Sequence, residues 1–478
     1  PDHNDHPGVP LQLLGAAIIL GLSAVRSVYI SGLHTIDDVL THPAIYLHAM
    51  NVVVACFVSG ASFFLGRRIF ARTGKVIIAL TAQAFIFMSF AMLSSLARVC
   101  PEPLLMAEAL FLAGLLAPLV FGADQPSSAA RPAVLVGITL GLALTTKITS
   151  VPLLLTIGLL RNTRDRVLCL VAMAVTTGIL ISPIRHRLEQ MMNWFVAVAI
   201  HRGQYGTGEL GVPDVAMLER NLEQMIISSP ELLVSFLGCL VTLIVLRKFN
   251  GRTVEFSSRI FVVGTAMIMV QLALVAKHPG DRYMVPTLAF ISLVIAALGN
   301  VLRLHQWRTR LGVMTLSVAL LCGGVVNAAI RSHAWLNETM NIHRDNQEIF
   351  HMVSMSKCAV ILYYAATPAE FLLMFGNRLA GSQYSRELSS LYPKTIIYEP
   401  LQNRFETFDR ILTADQVEAR LSGEDCVYLV GSPVQRFDKF GIPKGRLSLV
   451  VQTQHDVEAA LAVYELKRTS EGLFHVSP

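Results

Sequence analysis

The chain has 478 residues, of which 53% are hydrophobic and 15% charged, with a formal net charge of +6. Soluble domains carry about 25% charged residues, so this composition excludes an ordinary soluble protein. Repeated apolar runs of roughly 16 to 22 residues instead match the ~20 that one helix needs to cross a hydrocarbon layer ~30 Å thick. The positive balance does not indicate nucleic acid, because most of the basic residues fall in short loops between apolar runs, the orientation signal of a polytopic protein.

The chain opens on PDHNDHPG, with Asp2, His3, Asp5 and His6 at the lip of the apolar stretch Pro10 to Val25. Spans are predicted near 45–65, 76–96, 103–121, 132–145, 149–160, 166–183, 232–246, 260–276, 283–302 and 311–329. Alternate connections between them hold the basic residues: Arg67, Arg68, Arg72 and Lys75; Arg131; Arg161, Arg164 and Arg166; Arg247, Lys248, Arg252 and Arg259; Arg303, Arg308 and Arg310. That set belongs on the cytoplasmic side. PDHNDHPG, the RVCPEP turn, the 184–231 loop, the KHPGDRY turn and the tail after Ala329 then share the opposite side. Counting Pro10 to Val25 as a span would reverse this, so it is expected to lie in the outer interface. A further span is expected upstream of Pro1.

The run ARPAVLVGITLGLALTTKITSVPLLLTIGLLR has basic flanks and too few residues for two full spans. Two short helices meeting at Thr145-Thr146-Lys147 fit it, provided the break is buried in protein or lines a water-filled cavity. Lys147 would then stand in the outer half of the membrane, paired with an anion, and is a functional candidate on that ground. Beyond Ala329 no apolar run is long enough to span. KCAVILYYA, KTIIYEP, DCVYLVG, LSLVVQT and AVYELKR alternate with helical patterns, predicting a small α/β domain with a mainly parallel sheet. The chain therefore divides into a membrane domain, 1–329, and an extramembrane domain, 330–478.

Cys56, Cys100, Cys169, Cys239 and Cys322 lie in or at the ends of apolar runs, where cysteine packs as a small hydrophobe. No CxxC or Cys/His ligand spacing occurs, and no metal site is predicted. Cys358 and Cys426 each begin a strand-like run, as a disulfide if those strands are neighbours or as two buried thiols.

The predicted topology gathers two kinds of charge on the outer side. Carboxylates come from Asp2, Asp5, Asp37, Asp38 and Glu102; cations come from Arg98, Lys147, Arg185, Arg187, Arg202, Lys277 and Arg282, with His6 and His278 nearby. A carboxylate beside cations suits a phosphate carried on a lipid chain and a reaction that needs a base. Each residue also has a simpler reading. Asp5 can cap the helix after it, and Glu102 can complement a helix dipole. Lys147 can snorkel to the surface, and Lys277 to Arg282 can be a plain charged turn.

Taken in order, DHPG (Asp5 to Gly8), ARVCPEPLL, GLALTTKITSVPLLL and KHPGDRYMVP resemble features of the GT-C glycosyltransferases. The likeness is to the branch of protein O-mannosyltransferases, aminoarabinose transferases and lipopolysaccharide galacturonosyl transferases, and it covers nearly all of 1–329. It implies a GT-C-like membrane fold and a metal-independent, inverting transfer of a sugar from a polyprenyl-phosphate donor to a lipid, glycan or protein acceptor. No cofactor is implied. By position, Asp5 is the base, with Asp2 beside it. Lys147, Arg98, Lys277 and Arg282 contact the donor phosphate, and His6, Glu102, His278, Tyr283 and Arg202 bind substrate. The branch also carries an Asp-Glu pair whose place would precede Pro1; the resemblance then allows that pair to supply the principal catalytic acid, with Asp5 in a supporting role. The implied location is a bacterial inner membrane, with 330–478 in the periplasm, capping the site, choosing the acceptor or serving structure alone. A flippase or other transporter of lipid-linked saccharides, or a polymerase or ligase, would share these substrates.

Overall fold

The computed structural model describes residues 8–122, 130–202, 209–211, 215–246, 252–277, 280–303, 323–337, 340, 359–362, 372–377, 380, 382–399, 404–421, 427–431, 447–451, 466–468 and 474–476. The chain divides into two compact units. The larger joins Asn4–Ile18 to Ala49–His333; the smaller joins Pro1–His3 and Ile19–His48 to Ala334–Pro478.

The helices in chain order are α1 (Val9–Tyr29), α2 (Thr35–Thr41), α3 (Pro43–Thr73), α4 (Val76–Ala84), α5 (Phe90–Leu96), α6 (Pro101–Phe121), α7 (Ala130–Thr146), α8 (Thr163–Ile181), α9 (Leu188–Ile200), α10 (Val215–Ser228), α11 (Pro230–Leu246), α12 (Arg252–Val275) and α13 (Val285–Arg303). Residues 323–337 form α14. Among the described residues, six helices are long and apolar enough to cross a membrane, or eight if each of two bent pairs is one span. The chain thus has the architecture of a polytopic helical membrane protein.

That number is below the ten spans expected from the sequence, and one of the six, Val9–Tyr29, is not among those ten. The segments around Lys147 are short, 311–329 lies mostly outside the described residues, the predicted 76–96 span bends by 74° at Ser89, which caps α5, and 232–246 is one arm of a pair bent by 91°. The Pro10–Val25 stretch, expected to lie flat, is part of a continuous helix of 21 residues, enough by length and composition to span.

Helix α6 is the centre of the larger unit. Pro101 starts it, where a missing N–H costs nothing, and its side chains are buried on nearly every face against α5, α7 and α13. Helices α7 and α8 pack closely along Gly137 and Gly141. A Cβ at Gly137 would overlap the Cys169 carbonyl, and one at Gly141 would fall 2.8 Å from Thr176 Cβ. Small residues at this spacing let helix backbones approach in a membrane, where dispersion rather than water drives packing.

The smaller unit contains a six-stranded sheet of order β4-β3-β2-β1-β5-β6, built from β1 (Ala359–Leu362), β2 (Thr395–Glu399), β3 (Arg404–Glu406), β4 (Ile411–Leu412), β5 (Val427–Gly431) and β6 (Leu447–Val451). A separate pair joins β7 (Leu466–Arg468) to β8 (Phe474–Val476). The expected mainly parallel sheet is mixed. β1 is parallel to β2 and β5, but β2–β3, β3–β4 and β5–β6 are antiparallel. β3 and β4 are too short to be visible as apolar runs. Cys358 and Cys426 lie outside the described residues; the strands they precede pair with Ala359 opposite Val427.

The loop after α1 is held by Asp38, whose side chain is 2% exposed. Arg26 donates from Nε to Asp38 Oδ2 at 2.7 Å and from Nη2 to Oδ1 at 2.8 Å, and Tyr46 donates its hydroxyl to Oδ2 at 2.5 Å. Two residues on from this anchor, Leu40 enters the core of the sheet with Val360, Leu362, Leu373 and Ile397. The Arg26 guanidinium holds the Asp38 carboxyl down at about 2.

Gly137→Leu is expected to separate α7 from α8 and to cost roughly 1–3 kcal/mol by overpacking, read as a lowered thermal unfolding midpoint in detergent. Gly178→Ala, on α8 with nothing within 4 Å of its Cβ, should leave that midpoint unchanged or slightly raised. For Asp38 the folded pKa lies below the ordinary one, so its contribution is full above about pH 4 and is lost as the pH falls toward about 2. Hydrogen-exchange protection at α2, relative to the intrinsic rate at each pH, should fall across that window in the wild type, and Asp38→Asn should have low protection at every pH.

Candidate functional site

The break predicted at Lys147 is present. Helix α7 ends at Thr146, and Lys147 is extended, with φ −164° and ψ 141°. The chain then continues as a 3₁₀ helix, Ile148–Leu159, with Pro152 inside it. Proline removes an N–H and disfavours the α conformation of the residue before it, and the run of Thr145, Thr146, Ile148 and Thr149 is also poor in helix formers. A 3₁₀ helix rises ~2.0 Å per residue, so this 12-residue segment reaches ~24 Å, more than the ~18 Å of an α-helix.

Extended backbone at the break turns Lys147 toward the first turn of α6. Lys147 Nζ donates to Glu102 Oε1 at 2.5 Å, with the side chains 3% and 1% exposed. Arg282, in the turn Asp281–Met284 before α13, places Nε 3.8 Å from the same oxygen and is 45% exposed. The Tyr283 ring adjoins both cations. Lys147 Nζ is 4.5 Å from its centroid, the Arg282 guanidinium is 5.2 Å away, and Arg282 Nη2 donates to the Tyr283 hydroxyl at 3.3 Å. Both are within the range of cation–π attraction. Gln271 on α12 fixes the turn by donating to the Tyr283 carbonyl at 2.8 Å, while its own oxygen accepts from Thr287.

The site therefore holds one buried carboxylate against two cations. Glu102 Oε2 is buried without a hydrogen-bond partner. Cys100 adjoins it; burial, with the Glu102 carboxylate, pushes this thiol up to about 12, so it is no nucleophile at neutral pH. Beyond Arg282, Arg331 lies 3.7 Å from Asp281, donates to the Ser228 carbonyl at 2.7 Å and covers the Phe90 ring at 4.5 Å.

The structure thus brings together Glu102, Lys147, Arg282 and Tyr283 from the residues predicted by sequence. It places Lys277 elsewhere. Lys277 Nζ donates to the backbone carbonyls of Val198 and His201, at the C-terminal end of α9, where a cation complements the helix dipole. Burial lowers its pKa. Arg202 packs on Gly211 beside that same helix end, and Arg98 is exposed on the turn after α5. Asp2, Asp5, His6 and His278 lie outside the described residues. Among the described residues no cluster of histidine, cysteine and carboxylates could hold a metal ion.

Three residues near this site escaped the sequence reading: Asp281, Arg331 and Glu108. Glu108 had a signal, since an isolated carboxylate inside an apolar run is a functional candidate. Arg331 had none, because its partners are 50 or more residues away in the chain. No family model, curated protein or solved structure matches this chain.

Removing one member of a buried ion pair leaves the other charge uncompensated, at about 3–5 kcal/mol. Lys147→Met and Glu102→Gln should each lower the unfolding midpoint by several degrees, and the double variant should be less destabilised than the two losses added. Strict additivity in this double-mutant cycle would show that the contact has no energetic coupling.

Proposed function

We propose that this chain is a membrane glycosyltransferase that moves a sugar from a polyprenyl-phosphate donor to a lipid, glycan or protein acceptor on the outer face. The carrying observation is the convergence of Lys147 and Arg282 on Glu102, with Tyr283 against both cations, at one end of the helical unit. The opposite end of α6 has Arg72 near Gly122, one of the basic residues that read as cytoplasmic. On the loop-charge reading the site end is taken as the outer one, in a bacterial inner membrane by the resemblance to GT-C enzymes, with 330–478 in the periplasm.

The charge arrangement supports an anionic substrate. Lys147 and Glu102 balance each other, and the half-exposed Arg282 is the surplus cation at the mouth of the pair. Its planar guanidinium can offer two parallel N–H groups to a phosphate. In the reaction the acceptor oxygen bonds to the anomeric carbon as the bond to the phosphate oxygen breaks. Polyprenyl phosphate leaves with the bonding electrons, stabilised by Arg282, and a carboxylate takes the acceptor proton. The resemblance assigns that proton to Asp5, with Asp2 beside it; Glu102 keeps Lys147 charged and in place. Lys277 and Arg202 have a smaller part in this reading, since both are engaged at the end of α9.

One observation favours a transporter of lipid-linked saccharides, because broken helices mark many transporter sites. The Lys147 hairpin, the 74° bend at Ser89 and the 91° bend between Met217–Ser228 and Pro230–Ile244 are all such breaks. The last is the weakest of them. Helix α10 exposes Glu219, Arg220 and Glu223 and buries Met225, the pattern of an interfacial helix turning into a span.

Protein in native membranes, supplied with a panel of polyprenyl-phosphate sugars and a lipid extract, should release polyprenyl phosphate in a donor-dependent way. Arg282→Ala should lower that release by roughly 10²-fold, the scale of losing one charge-stabilising donor. Asp5→Asn should lower it by roughly 10²–10⁴-fold, the scale of losing a general base. Movement of intact lipid-linked sugar across the bilayer, with no release from any donor, would establish the transporter instead.

A further inference from the structure

The second carboxylate of α6, Glu108, lies six residues beyond Glu102, or ~9 Å further along the helix. It is 8% exposed, and its Oε2 is buried without a hydrogen-bond partner. Its one described polar contact is with Thr146, the residue immediately before the break. Thr146 Oγ1 lies 2.9 Å from Glu108 Oε1 and also 2.9 Å from the Leu142 carbonyl. No described cation pairs with Glu108. Lys147 is engaged at Glu102, and Arg131 stands at the opposite end of α7. Arg303 lies at the far end of α13 from the Asp281–Met284 turn.

Counting hydrogens favours one state of this contact. A hydroxyl has one proton to donate. If Glu108 were ionised, Thr146 would face two acceptors, the Leu142 carbonyl and a carboxylate, and could serve only one. An unpaired carboxylate at membrane depth would also bear the full cost of desolvation. If Glu108 is protonated, every hydrogen has a place: the acid O–H donates to Thr146 Oγ1, and the Thr146 O–H donates to Leu142. Only the acid's carbonyl oxygen is then unpaired, at far smaller cost than a bare charge.

We infer that Glu108 is held as the neutral carboxylic acid and that its O–H···Thr146 bond positions the α7 break, so that Lys147 reaches Glu102. The two carboxylates of α6 thus bind the two consecutive residues of the break in opposite protonation states, Glu102 as the anion on Lys147 and Glu108 as the acid on Thr146. Glu108 is a positioning residue, and the inference holds whether the site transfers a sugar or moves a lipid.

Two measurements on the full chain in lipid nanodiscs test it. Infrared spectra at neutral pH should contain the carbonyl stretch of a non-aqueous carboxylic acid, shifted in D₂O and lost in Glu108→Gln. An unchanged acid region in that difference spectrum would overturn the protonation. Labelling of Lys147 by a membrane-permeant amine reagent, with Lys147→Met as background, reads the positioning. Labelling should rise several-fold in Glu108→Ala and Thr146→Val and return to the wild-type level in Glu108→Gln, whose amide can still donate to Thr146. Equal labelling in all variants, or Glu108→Gln behaving as Glu108→Ala, would overturn the positioning role. Because Glu108→Gln is nearly isosteric, both measurements stand if the alanine variant does not fold.

Discussion

A lysine with 3% of its side chain exposed and a glutamate with 1% cannot both be ionised among apolar helices unless each satisfies the other. The Lys147–Glu102 contact imposes that constraint on everything around it. Lys147 must leave helical geometry to present its amine sideways, so α7 must stop at Thr146. Glu102 must be in the first turn of α6, where a proline start and the exposed N–H groups of the helix favour a carboxylate. The turn before α13 must then bring Tyr283 within reach, since an ammonium not fully neutralised by one oxygen is further stabilised by an aromatic face.

This geometry separates a buried, neutralised pair from a more exposed cation. Lys147 and Glu102 fix the position of the break; Arg282, held on Tyr283 and only 3.8 Å from Glu102, keeps its side chain 45% exposed. The second carboxylate on α6 reinforces the first by holding the neighbouring residue of the same break. Placing both anchors on the most deeply buried helix gives them rigid surroundings, and the Gly137 and Gly141 contacts with α8 hold the remaining side of α7.

Much of this was legible in the chain. The spans near 45–65, 103–121 and 283–302 correspond to α3, α6 and α13, because long apolar runs leave a helix as the one structure that satisfies its own backbone in lipid. The break at Lys147 was legible from spacing alone, since too few residues separate two basic flanks. Glu102, Lys147, Arg282 and Tyr283 were all singled out, as charges or their neighbours recurring where loop charge should be sparse. Which of these residues touch was not legible. Lys147 and Glu102 are 45 positions apart, and Lys277, five positions from Arg282, turns away to the end of α9.

The sequence by itself determined the chemical class of each segment: apolar runs of membrane length, basic residues in the short connections between them, and a polar C-terminal stretch with strand-like runs. Those are local properties, set by composition and period. Tertiary structure decided the rest. It joined Ile19–His48 to the C-terminal unit through the Asp38 anchor and Leu40, made the sheet mixed through strands of two and three residues, and matched each buried charge to its partner. Pairing of buried charges follows from three-dimensional proximity and desolvation, which no spacing along the chain encodes.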